Sequence, residues 1–79
     1  MNNFRYDRTW QEIEDMLDSA ERHQNHHEMK LEELKGRKMP MRKKNTKMIH
    51  HAKQFKALQG VVKTLRWVLG DKEVDHPLN

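Results

Sequence analysis

The chemistry this chain offers is that of cations and imidazoles rather than nucleophiles. Lys53, Lys56, Gly60, Lys63 and Trp67 follow one another at spacings of three, four, three and four, which sets all five along one stripe of a helix. Lysines on one face neutralise phosphates, a glycine lets a backbone or base come close, and an indole offers a stacking surface. An ordinary solvated lysine face has the same look, but a glycine inside a helix costs about 1 kcal/mol relative to alanine, and that favours a functional reading. A second group, Lys35, Arg37, Lys38, Arg42, Lys43, Lys44 and Lys47, crowds around one short stretch. Like charges so close repel one another, so this stretch is expected to stay mobile unless an anion binds; the bland alternative is a solubilising loop. The candidate anion-binding residues are therefore Arg37, Lys38, Arg42, Lys43, Lys44, Lys47, Lys53, Lys56, Lys63 and Trp67.

Histidine is the other unusual residue, with six in the chain. His23 and His27 are four apart, as zinc-binding pairs can be, but there is no thiol, no HExxH pattern and no fixed spacing to His51. His27 and His51 read better as polar members of an apolar seam which, with Gln24, fix register and oligomer state at some cost in stability. Their protonation below pH ~6.5 would loosen the packing. For catalysis there is little: no cysteine, a single serine (Ser19) and no strand followed by a glycine-rich loop. Glu14, Asp15 and Asp18 read as an acidic helix face rather than a metal site. No enzyme, no metal and no cofactor is expected.

The elements that position these residues are two helices. Thr9, with Glu12 three residues on, has the form of a capping box, and a 3,4-spaced series follows it: Trp10, Ile13, Leu17, Ala20, Gln24, His27, Leu31 and Leu34. Gly36 is placed to end that helix in a left-handed conformation. Gly36 to Met41, with Pro40, reads as the turn, and Asn45 or Thr46 as the cap of a second helix. Its seam is Met48, His51, Phe55, Leu58, Val62, Leu65 and Leu69, closed by Gly70-Asp71. The reading is a single all-α domain, an antiparallel two-helix hairpin of coiled-coil type. Its parts are a helix over about 9–35, a basic turn over 36–45, a helix over about 46–69 and a tail over 70–79 expected to fray. Folding it sets Leu34 near Met48, His27 near Phe55, Ala20 near Val62 and Ile13 near Leu69, with His51 within about a turn of His27. Apolar residues at 58, 61, 62, 65, 67, 68 and 69 make a face wider than two helices cover. A further copy of the chain is expected over Val61 and Val68, giving a homo-oligomeric bundle.

Composition agrees with a small assembly. The 79 residues are 34% hydrophobic and 35% charged, with no cysteine. A chain of this length buries only about 60% of its unfolded surface and needs a staple, which a disulfide cannot provide here. The net charge of +4 hides an asymmetry: residues 1–34 carry nine acids and four bases, whereas 34–70 carry eleven bases and no acid. Antiparallel packing would pair part of this charge internally and leave a basic surface. The opening residues lack the form of a secretory signal and no segment is long and apolar enough to span a membrane, so a cytoplasmic protein with no membrane partner is expected.

The segment Leu58-Gln59, then Leu65 and Val68, following a basic stretch, is similar to the hairpin domain of phage proteins that sequester cyclic-nucleotide signals of bacterial immunity, the anti-CBASS and Thoeris anti-defence hairpin family. The resemblance covers about twelve residues, the first helix here is longer than the family's, and no functional residue carries over. It implies an oligomer holding signalling nucleotides between hairpins, in a host cytoplasm. The short, basic, cysteine-free composition also looks like that of phage early proteins that disable a host machine. Two functions compete: an anion-binding module for nucleic acid or a nucleotide, and a protein-binding inhibitor that uses the acidic helix or the apolar face against a host protein.

Overall fold

A computed structural model describes residues 7–79. Two helices, α1 (Trp10–Lys35) and α2 (Met41–Val68), pack against each other as the expected all-α hairpin, and no strand occurs among the described residues.

The start of α1 is the capping box read from the sequence. The Thr9 hydroxyl accepts the Glu12 backbone N–H at 3.1 Å, and the Glu12 carboxylate accepts that of Thr9 at 3.4 Å. Arg8, 2.9 Å from Glu12, then the Thr9 bonds, hold the Glu12 carboxyl below its ordinary range.

The α1 end differs from expectation. Gly36 sits at φ −88°, in the right-handed region, with its N–H turned to Glu33 O and that of Arg37 to Leu34 O. Lys44, reaching across from α2, donates to the carbonyls of Lys35 at 3.2 Å and Arg37 at 3.4 Å. A cation on the exposed carbonyls of a helix end is favoured both as a donor and by the helix dipole, and here it removes the need for a left-handed glycine.

The turn is shorter than the sequence implied, because α2 begins at Met41 rather than at Asn45 or Thr46. Pro40 is its N-cap, at φ −54°; a proline fits where a backbone N–H would lack a partner, and its carbonyl takes the Lys44 N–H at 3.0 Å. Thr46, expected as a cap, lies inside the helix, its hydroxyl donating to Arg42 O. The closing signal at Gly70 holds: φ is +86°, with Gly70 N–H to Trp67 O and Asp71 N–H to Arg66 O, the paired bonds of a Schellman end. The tail, expected to fray, turns back instead. Leu78 N–H bonds His76 Nδ1, and the His76 ring meets the Trp67 indole edge-on at 5.1 Å.

Among the described residues Ala20, Leu34 and Val62 are buried, and more of the seam, Ile13, Leu17 and Leu31 against Met48, Phe55, Leu58 and Leu65, is half-buried. Trp10, placed on the seam by its spacing, is 65% exposed. The shorter turn moves the pairing by about one helical turn. His27 meets His51 instead of Phe55, and Ile13 shares a groove with Leu65 instead of Leu69.

Candidate anion-binding site

The internal charge pairing expected of the hairpin is nearly absent. Glu21 to Arg66, at 2.8 Å, is the single ion pair between helices among the described residues. The other pairs are local to α1 and the residues flanking it: Arg8–Glu12, Arg22–Asp18, Lys30–Glu33, Lys35–Glu32 and Arg37–Glu33. Apart from Glu21, the paired acids of α1 face solvent and find their partners three or four residues away, so they leave most of α2 uncompensated.

Of the predicted site residues, Arg37 is paired with Glu33 at 2.6 Å, and Lys44 donates to the α1 carbonyls. Lys38, Arg42, Lys43, Lys47, Lys53, Lys56 and Lys63 have no ion-pair partner among the described residues. They form two sets. Arg42, Lys53, Lys56 and Lys63 fall on the α2 face opposite the seam, spread along about 31 Å of helix at ~1.5 Å per residue. Lys43 and Lys47 fall to one side, where Lys47 lines a groove with α1. The basic stretch is thus largely helical: Arg42, Lys43, Lys44 and Lys47 occupy the first two turns of α2, which has no acid in its first turn. Cations there lie at the positive end of the helix dipole, an unfavourable arrangement that an anion relieves.

Trp67 is 44% exposed and on the outer stripe as expected, but His76 already covers one edge of its ring. Gly60 is open, with no atom within 4 Å of where a Cβ would sit, so no contact inside the hairpin requires glycine there. Val61 and Val68, at 36% and 40% exposure, are uncovered.

The histidines meet at mid-hairpin. The Nδ1 atoms of His27 and His51 are 2.8 Å apart, with the rings of His26 and His50 meeting the pair edge-on. One ring must donate and the other accept. Partial burial first, then the charges of His51, His26, His50 and His23, hold His27 below the ordinary imidazole range; burial, then His50, His26, Lys30 and Lys47, does the same to His51. Among the described residues no three His, Asp or Glu side chains converge on a metal position.

The sequence did not single out Lys30, Glu33 and His50, which line the groove beside Lys47. Lys30 sits in the acidic half, where composition masks it, and only its place one turn beyond His27 puts it there. No protein-family description, no curated protein and no solved structure matches the chain. No described helix is long and apolar enough to cross a membrane.

Proposed function

We propose that this chain is a small non-enzymatic binding protein, a self-associating helical hairpin whose α2 takes a phosphate-bearing polyanion, nucleic acid, along its outer face. The observation that carries the reading is the set of seven cations around and along α2 without an ion-pair partner among the described residues, four of them in one stripe. Phosphate contacts of this kind supply affinity without sequence preference, because they release counterions and read no base edge. Self-association is supported by the thin core of three buried residues and the open apolar face at Val61 and Val68. The likeness to cyclic-nucleotide-sequestering phage hairpins agrees with an anionic ligand and with work in a host cytoplasm.

The test is binding of a fluorescent random duplex to the wild-type chain and to K53Q/K56Q/K63Q. The variant should keep its helical circular dichroism and bind at least tenfold more weakly, as expected when about three phosphate contacts are lost. Unchanged binding would remove the stripe from the site. A second reading, an inhibitor docked on a host protein, draws on the same exposed Val61, Trp67 and Val68. It gains if neither nucleic acid nor nucleotide binds at low salt.

A further inference from the structure

We propose that the groove between α1 and α2 near the turn binds a small phosphate monoester of nucleoside-monophosphate size, at a site separate from the outer basic stripe. This rests on the anion-binding reading and narrows it to one place and one ligand class.

The groove has a volume of about 510 Å³, within the range of small-molecule sites. Leu34, 5% exposed, gives it an apolar floor, and Lys30, Arg37, Lys47 and His50 line it. Glu33 lies between two of these cations, 3.5 Å from Lys30 Nζ and 2.6 Å from Arg37 Nη2, and offsets part of their charge. Three cations against one carboxylate leave a net charge of +2 with the imidazoles neutral, which matches a phosphomonoester dianion. An apolar floor beside a divalent cationic rim suits a phosphate carrying a ring system better than it suits a bare inorganic ion.

His51 also lines the groove, hydrogen-bonded to His27. That pair accepts one proton without losing its bond, because an imidazolium N–H can donate to the neutral ring. The cations near it are Lys30 on α1 and Lys47 on α2, which oppose protonation, as would a proton on the neighbouring imidazoles of His23, His26 and His50; Glu33 is the carboxylate on the groove. A bound dianion reverses the balance. Binding is therefore accompanied by proton uptake, and it tightens as pH falls from about 7.5 while staying above the ~6 at which the phosphate itself takes a proton.

The experiment is calorimetric titration of the full chain with adenosine 5′-monophosphate at about 50 mM salt, alongside adenosine and a random duplex. Saturable binding of the monophosphate and not of adenosine is expected, tighter at the lower pH. Lys47→Gln should weaken it about tenfold, the scale of one charge-assisted hydrogen bond. Glu33→Gln, which removes the repelling carboxylate, should strengthen it. Lys56→Gln, nine residues from Lys47 and on the opposite face of α2, should leave it unchanged; circular dichroism checks that all three fold. Equal loss in K47Q and K56Q, or weaker binding in E33Q, overturns the site. Duplex binding without monophosphate binding overturns the groove and leaves the outer-face reading standing, whereas failure of both ligands removes both.

Discussion

Acid should loosen this hairpin through one contact. The His27 and His51 rings lie 5.1 Å apart between centroids and share a single Nδ1···Nδ1 bond of 2.8 Å. The first proton is tolerated, but the second sets two N–H groups against each other. With each charge spread over its ring, the repulsion at 5.1 Å is about 0.8 kcal/mol at the dielectric of water and about 3 kcal/mol at an effective dielectric of ~20. The pair is half exposed, so the lower part of that range applies. The sign follows from the depressed imidazoles: the unfolded chain binds protons more readily, so this stability is present above about pH 6.5 and is lost as pH falls below it. A loss of about 1 kcal/mol lowers the melting temperature of a domain this size by roughly 4–8 °C. Thermal melts followed at 222 nm, at fixed protein concentration, between pH 8 and 5 would register it, and H27Q/H51Q should flatten the dependence over that range. If wild type and variant lose stability in parallel, the pair is not the acid-sensitive contact.

Other contacts make equally direct claims. Thr9→Ala removes the hydroxyl that receives Glu12 N–H and should cost about 0.5–2 kcal/mol in chemical denaturation, with helicity lost first in α1. Leu34→Ala opens the core and should cost about 2–5 kcal/mol, a change that denaturant midpoints resolve easily. Gly70→Ala forces a side chain into φ +86° and should cost about 1–2 kcal/mol. Lys44→Gln withdraws a charged donor from the α1 carbonyls, so it should lower stability by roughly 0.5–1 kcal/mol while duplex affinity falls less than in Lys53→Gln.

Local signals in the sequence survive where the physics is local. The Thr9–Glu12 box and the Gly70 end each depend on neighbours within a few residues, and both form as their spacing implies. The 3,4 spacing also marks the seam, because burial follows helical period. What fails depends on the partner helix. Gly36 resembles a left-handed cap by type, yet Lys44 comes from across the turn to satisfy the same carbonyls. Asn45 and Thr46 look like caps, but Pro40 offers an earlier start and four more residues of helix, of which Lys44 is half-buried. With that start goes a one-turn change in register, and register decides that His27 faces His51. The outer stripe was legible, since it needs only one helix. The groove was not, since Lys30, Glu33 and Lys47 converge only once the turn length is known.

The central claim is that the cations of α2 meet phosphates, and the salt dependence of duplex binding tests it most directly. Four contacts from Arg42, Lys53, Lys56 and Lys63 give a slope of log affinity against log salt near −3.6, at about 0.9 per phosphate, so raising salt from about 50 to about 200 mM should weaken binding roughly a hundredfold. R42Q/K53Q/K56Q/K63Q should bring the slope toward zero with helicity retained. A wild-type slope already near zero, or one that the four substitutions leave unchanged, contradicts the account.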